Sequence, residues 1–441
     1  MDDRFQPRPY ATLRHPEWSR AATLYELNTR AFTPEGTLAA AGAHLPRLKD
    51  LGVDIVWLMP VHPIGVLGRK GTLGSPYAVR DYRAVNPELG TLDDLRAFVR
   101  QAHGLGMRVI LDWVANHTAP DHPWVAEHPE WYARDWRGAL RPTPWWDWTD
   151  VADLDYSHAD LRREMTDAMA FWLREADVDG FRCDVAGFVP VDFWDTAREI
   201  LDAVKPVFML AEWEARDLHA RAFDATYAWS WYDAAGRVAR GEGSVDDLAV
   251  FYSGHESAYP REAMRMTFTS NHDKNAWEGT MQEHFGAGLH AAAVLSVVGE
   301  GIPLLYSGQE AGCDRRLSFF EKDAIDWRED AVGDLYRRLF ALKHASPALW
   351  NAPWGAPMVR IPVASPALAF VRRHDGQPGA GEPAGSAVVA VFNWSAEARA
   401  VALGDGPFAG AYTDVFSDEA ADLAAGSVVD VAAWGWRVFA R

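Results

Sequence analysis

An α/β fold, a (β/α)8 TIM barrel with a short insert after strand 3 and a C-terminal antiparallel β-sandwich, is predicted by three features of the sequence. Short apolar runs alternate with longer amphipathic stretches, eight such units fit within about 345 residues, and the remaining chain switches to short alternating runs separated by Gly and Pro. A doubly wound open sheet shares the alternation, but no Gly-rich dinucleotide turn follows the first strand.

The first strand is Thr23-Leu24-Tyr25-Glu26-Leu27-Asn28, followed by a helix from Leu38 to Leu51. Asp54-Ile55-Val56-Trp57-Leu58-Met59 is the second, nearly all apolar as suits a parallel strand buried on both faces, and stopped by Pro60. Thr91 with Asp93 and Asp94 opens a helix running through Gly104, and Met107 to Asp112 is the third strand. A helix from Ala159 to Ala176 leads into Asp179-Gly180-Phe181-Arg182-Cys183-Asp184, the fourth. Val191 to Val204 is helical and Val207 to Glu212 is the fifth. The sixth strand, Ala222 to Tyr227, has the weakest pattern; Arg265 to Thr269 is the seventh, Ala291 to Val298 a helix, and Ile302 to Tyr306 the eighth.

The barrel thus takes residues 1–117 and 158–355, a Trp-rich insert 118–157, and the β-sandwich 356–441. The insert lacks clear periodicity over roughly 40 residues, a length that signals a functional loop or small subdomain. The last segment carries runs such as Ala387-Val388-Val389-Ala390-Val391-Phe392, set apart by a Gly/Pro cluster from Gly376 to Gly385.

Composition narrows the partners. With 43 Lys+Arg against 62 Asp+Glu the net charge is −19, which repels nucleic-acid phosphate and anionic lipid, and no basic run opposes that field. Neither nucleic acid nor a membrane is an expected partner. Two cysteines, Cys183 and Cys313, are too few for a disulfide framework. The opening Met1 to Pro7 lacks a basic n-region and an apolar h-region, and no apolar run is long enough to span a bilayer. A cytoplasmic location is the expectation. The 21 Trp suit either an aromatic core or stacking on flat apolar faces such as those of sugar rings.

In a barrel of this kind chemistry gathers at the C-terminal ends of the strands. Asp112, Asp184 and Glu212 end the third, fourth and fifth strands, and Asp273 follows the seventh in Ser270-Asn271-His272-Asp273. One such acid would suit a helix cap; four at one mouth crowd together and raise at least one pKa. Arg182, two residues before Asp184 and on the same strand face, is placed to keep Asp184 ionised. An ionised carboxylate beside an arginine, with a second carboxyl free to stay protonated, is what retaining glycoside hydrolysis requires. Cys183 alternates to the opposite face, so it is a core thiol.

These residues resemble the signatures of the α-amylase family of retaining glycoside hydrolases (family 13). Asp112-Trp113-Val114-Ala115-Asn116-His117 is similar to the first motif, Gly180-Phe181-Arg182-Cys183-Asp184 to the second, Ala211-Glu212 to the third and Ser270-Asn271-His272-Asp273 to the fourth, in the same order. The resemblance covers essentially the whole chain. It implies a (β/α)8 barrel with a domain inserted after strand 3 and a C-terminal β-sandwich. It further implies Asp184 as nucleophile, Glu212 as general acid/base and Asp273 as the carboxylate that grips sugar hydroxyls. Arg182 would orient Asp184, and His117 and His272 would bind hydroxyls in the catalytic subsite. In Ser75-Pro76-Tyr77, followed by Asp81-Tyr82, Tyr77 would stack on that sugar and Asp81 would support it. Asp112 and Trp213 complete the expected substrate-binding set. Asp153 or Asp155 in Asp153-Leu154-Asp155-Tyr156, a loose match to a fifth motif, is read as a cap for the following helix.

Departures from the pattern sharpen the expectation. Calcium-dependent members continue the second motif with a Lys-His pair that contacts substrate and supplies a metal-binding carbonyl. Here the chain reads Asp184-Val185-Ala186-Gly187-Phe188, so no metal and no cofactor are expected, although Asn116 is present. The chain looks nearer the intracellular members that cleave short oligosaccharides, of the α-glucosidase, cyclomaltodextrinase and neopullulanase types. The expected activity is cleavage of α-1,4 and also α-1,6 bonds in short linear or cyclic malto-oligosaccharides. Two rivals stand beside it: a transglycosylase passing the glycosyl unit to a sugar hydroxyl, and a non-catalytic sugar-binding or scaffolding relative. Retention of Asp184, Glu212, Asp273 and Arg182 together argues against the last. A homodimer walling off the cleft is left open.

The tryptophans divide by position. Trp57, Trp172 and Trp194 lie on strand or helix patterns and are expected to pack. The set from Trp124 to Trp148, with Trp213 and Trp277, is expected around the cleft and facing sugar.

Overall fold

Eight parallel strands close into a barrel in chain order, each paired with its sequence neighbours and the last with the first. They are β1 (Leu24–Leu27), β2 (Ile55–Leu58), β3 (Arg108–Trp113), β4 (Gly180–Cys183), β5 (Phe208–Ala211), β6 (Ala225–Tyr227), β7 (Met264–Phe268) and β8 (Ile302–Tyr306). The structure is a computed structural model and describes residue 6, residues 8–376 and residues 385–441. Most of the segment Met1 to Pro7 and most of the Gly376–Gly385 cluster lie outside the described residues. The open-sheet alternative is excluded by closure, and the sixth strand is real although only three residues long.

Local chemistry explains the elements. Thr91 caps the helix Leu92–Gly104 in a reciprocal capping box with Asp94. The helix expected from Leu38 to Leu51 is broken into Leu38–Gly42 and Leu45–Leu51. Pro46, in the first turn of the second piece, has no N–H to continue the earlier helix and is tolerated only near a start. In β4, Gly180 is required: a Cβ there would stand 1.9 Å from Phe208 O, so only glycine lets β4 and β5 approach. Helices Trp229–Ala239, Val245–Ala258 and Ala331–Ala345 complete the outer ring.

Between β3 and β4 the insert is tied down by a two-residue hairpin pairing His117–Thr118 with Ala152–Asp153. The C-terminal part is a six-stranded antiparallel sheet facing a two-stranded one. Ser386–Asn393 runs through the centre of the larger sheet. Its Val389 and Val391 pack inside the sandwich, while Val388, Ala390 and Phe392 join the main core against the barrel. Burial on both faces is why this strand is continuously apolar. The helix Leu289–Val298, buried around almost its whole circumference, lies in that same main core, in contact with this strand. No helix among the described residues is long and apolar enough to cross a membrane.

Candidate active site

The carboxylates gather because their strands are neighbours. Asp112 and Arg182 are direct partners across β3 and β4. Asp184 and Glu212 each leave the end of a strand, β4 and β5, that pair side by side. Arg182, fully buried, is the hub. Its Nη1 donates to Asp112 Oδ1 at 2.9 Å and to Asp184 Oδ1 at 3.0 Å, and its Nε donates to the Tyr227 hydroxyl at 3.2 Å. Nη2 lies 3.0 Å from Glu212 Oε2 yet off the line of a hydrogen bond, so that contact is an ion pair only. One guanidinium therefore touches Asp184 and Glu212 through its two terminal nitrogens.

Glu212 Oε2 instead accepts the Val185 backbone N–H at 2.7 Å. Val185 holds a left-handed backbone, φ +35°, which costs a β-branched residue of order 1–3 kcal/mol. That conformation aims its N–H across to β5.

A second chain of contacts lies on the opposite wall. Asp112 Oδ2 accepts from Trp57 Nε1 and from the Tyr77 hydroxyl, each at 3.0 Å. Tyr77 Oη is 2.8 Å from His272 Nε2, and His272 Nδ1 is 2.5 Å from Glu26 Oε1. His272 Nε2 also lies 3.3 Å from Asp273, whose side chain is partly exposed where the others are buried. The Tyr77 and His272 rings stack with centroids 5.3 Å apart and planes 16° from parallel.

Burial dominates the electrostatics. It pushes Asp184 well above the carboxylate range, and the charges of Glu212, Asp112 and Asp273 add to the rise against the pull of Arg182. Burial likewise raises Glu212 against Arg182 and the Val185 N–H, and raises Asp112 against Arg182. For His272 burial opposes the charge, but Asp273 and Glu26 outweigh it and lift the imidazole to about 9. Burial drops His117 to about 4. Arg182 and His272 are the cations that touch these carboxyls, Arg182 meeting Asp112, Asp184 and Glu212, and His272 meeting Glu26 and Asp273.

The structure thus brings together Asp112, Arg182, Asp184, Glu212, Tyr77, His272 and Asp273. His117 is buried at the insert hairpin, its ring 5.8 Å from Trp148. Asp81 is not brought in: it is exposed, and its carboxylate accepts the Arg83 N–H of its own turn at 2.8 Å. Trp213 is half-buried over Gly187, against Phe188 and Trp229. Trp172 and Trp194 are buried packing residues, as expected; Trp57 is buried too, but it also binds Asp112. Trp124 and Trp131 do not face sugar; they are buried, edge to face, and form the insert's own core. Trp277 is exposed against Phe319 and Phe320. Cys183 is fully buried.

Glu26, Tyr227 and the Val185 N–H were not singled out from sequence, and Trp57 was expected only to pack. Glu26 had a signal: an acid in the middle of an otherwise apolar buried strand. Asn116 Nδ2 is directed at Thr143 Oγ1, 3.1 Å, and Asp153 Oδ1, 3.2 Å, closing the insert onto the end of β3. Asp153 thus braces the insert and does not cap a helix. Among the described residues the His and carboxylate side chains close enough to share a cation are His128 and Glu130 of the insert and Asp160 of the helix after it, outside the carboxylate cluster.

Similarity to known proteins agrees with this geometry. The alpha-amylase catalytic-domain family matches residues 19–150 and 145–338. The chain is 31% identical over 375 residues to the alpha-amylase MalA of Haloarcula japonica, covering 80% of this chain and 52% of that protein. It is 30% identical over 370 residues to an alpha-1,4-glucan:maltose-1-phosphate maltosyltransferase of Burkholderia pseudomallei, covering 75% and 32%. The chain thus spans about half or less of the length of these relatives. Among solved structures, an alpha-amylase from Lactobacillus plantarum superposes with a TM-score of 0.84 at 32% identity, over 96% of this chain and 99% of that one. A noncanonic maltogenic alpha-amylase from Thermotoga neapolitana does so with a TM-score of 0.85 at 32% identity, over 95% and 98%. Ordered motifs, a closed barrel and these matches together place the chain in the alpha-amylase family.

Proposed function

We propose that the protein is a retaining α-glycoside hydrolase acting on α-glucosidic bonds of short linear or cyclic malto-oligosaccharides through a covalent glycosyl-enzyme. The observation that carries this reading is the sharing of Arg182 by Asp184 and Glu212. Arg182 donates a charge-assisted hydrogen bond to Asp184 Oδ1 but makes only an ion pair with Glu212. Burial raises Asp184 the more, and in this reading that hydrogen bond keeps Asp184 ionised at the moment of attack while Glu212 carries the proton. Asp184 attacks the anomeric carbon; Glu212 donates its proton to the leaving oxygen, then takes one from the incoming water. Asp273, with protonated His272 beside it, is placed to hold sugar hydroxyls. Tyr77, braced by Asp112 and His272, supplies a flat ring for the glycosyl unit.

The test is Glu212→Gln, expected to lower kcat on maltotriose by roughly 10²–10⁴-fold. Nuclear magnetic resonance of the parent reaction should show the α-anomer appearing first. A Glu212→Gln protein as fast as the parent, or a β-anomer first product, would overturn the assignment.

The maltosyltransferase relatives favour a second reading, transfer of the glycosyl unit to a sugar hydroxyl. Incubation with concentrated maltose separates the two, since hydrolysis gives glucose alone and transfer gives longer products.

A further inference from the structure

Glu26 lies in β1 between Tyr25 and Leu27, fully buried. Taking a carboxyl out of water is costly unless it is paired. Here the pairing is one contact: Oε1 lies 2.5 Å from His272 Nδ1, while Oε2 has no hydrogen-bond partner among the described residues. A side chain that only filled the strand would be apolar like Leu24 and Leu27. The cost of burying Glu26 is therefore tied to His272.

The other ring nitrogen shows what that tie secures. His272 Nε2 lies 2.8 Å from Tyr77 Oη and 3.3 Å from Asp273 Oδ2. Tyr77 has a single proton, which it donates to Asp112 Oδ2. A bare Nε2 would compete with Asp112 for that proton and set its lone pair against the Asp273 oxygen. Every contact is met when Nε2 carries a hydrogen, and with Nδ1–H aimed at Glu26 the ring is an imidazolium held between two carboxylates. Asp273 and Glu26 favour that charge and Arg182 opposes it. Asp112 and Glu212 also feel the ring's charge, and the hydroxyls of Tyr227 and Tyr306 lie within reach of Glu26.

We propose that Glu26 is a positioning residue for sugar binding: acting through His272, it keeps the imidazole charged, which pins Asp273 and the Tyr77 hydroxyl in place and carries that grip to alkaline pH. The proposal rests on the function assigned above and goes beyond it, since Glu26 itself touches no sugar. Removing the carboxylate lowers the pH at which the ring loses its charge. The hold on Asp273 then weakens from an ionic hydrogen bond to one from a neutral donor.

The test is maltotriose binding, by calorimetry, to Glu212→Gln protein with and without Glu26→Gln, at pH 6 and pH 8. The Glu212→Gln background removes both turnover and the titration of Glu212. Adding Glu26→Gln should raise the ratio of the pH 6 affinity to the pH 8 affinity at least about fivefold, the scale of one ionic hydrogen bond made neutral. A loss equal at the two pH values, or no loss, makes Glu26 a packing residue and overturns the proposal. Turnover of maltotriose by the parent tests the catalytic reading separately. If the parent does not cleave but the pH-dependent loss appears, the hydrolase reading fails and the role of Glu26 stands. If the parent cleaves and the ratio does not move, the reverse holds. Should Glu26→Gln fail to fold, or binding to the background be too weak to measure, the parent decides. Imidazole nitrogen resonances at pH 7.5 showing both nitrogens of His272 protonated support the proposal, and a neutral ring overturns it.

Discussion

Trp213 lies so close over Gly187 that a Cβ added to the glycine would stand 2.2 Å from indole ring carbons. The two residues come from the ends of adjacent strands, one following Asp184 and the other Glu212, so their contact locks together the segments that carry the paired carboxylates. Gly187→Ala should therefore destabilise the fold by about 1–3 kcal/mol through overpacking. Adding Trp213→Ala should relieve most of that loss. Urea unfolding of the two single variants and the double gives the coupling, and a zero coupling would refute the contact.

Among the described residues Arg182 pairs with more buried carboxyls than any other cation, touching Asp112, Asp184 and Glu212. Arg182→Met should cost roughly 3–5 kcal/mol at neutral pH, because carboxyls are left buried without a counter-charge. These carboxyls already have raised pKa values in the fold, and losing the guanidinium raises them further. Protonation then substitutes for the missing cation, so the deficit against the parent should shrink as pH falls from 7 to 5. A deficit independent of pH would show that the arginine acts through packing alone.

The His272 imidazole rises from 6.5 to about 9, with Glu26 among the causes. Glu26→Gln should move its titration midpoint down toward neutrality, read from the imidazole carbon-bound proton resonances. The sign for stability follows. A raised histidine contributes stability in full below its unfolded value of 6.5 and loses it as pH rises through about 9. The parent should therefore weaken across that window, and Glu26→Gln should weaken less across it.

Asp81 tests the family resemblance against the structure. Its side chain is exposed and spent on the Arg83 N–H, so Asp81→Ala should change stability by no more than about 0.5 kcal/mol and leave kcat/KM on maltotriose unchanged. A large loss of kcat/KM would show that the turn closes onto bound sugar.

The sequence by itself determined the eight strand–helix units and the acids at their strand ends, because both are written in short-range pattern. Continuous apolarity marked β2 and β8, the Thr91–Asp94 spacing marked a helix start, and acids at strand ends marked the mouth. Asp112, Asp184 and Glu212 had to converge once those strands were parallel neighbours. Closure of the sheet, by contrast, depends on the pairing of β1 with β8, residues far apart in the chain. Only tertiary structure decided which side chains around the carboxylates belong to the site. Glu26 and Trp57 reach it from β1 and β2, whereas Asp81, the residue after Arg80, whose N–H pairs with Pro63 O, is turned out to solvent. The same holds for the tryptophans: composition counts them, but burial separates Trp124 and Trp131, which hold the insert together, from Trp145 and Trp146, which stand in water. Periodicity reports which face of an element is apolar; what that face meets is settled by contacts between segments distant in sequence.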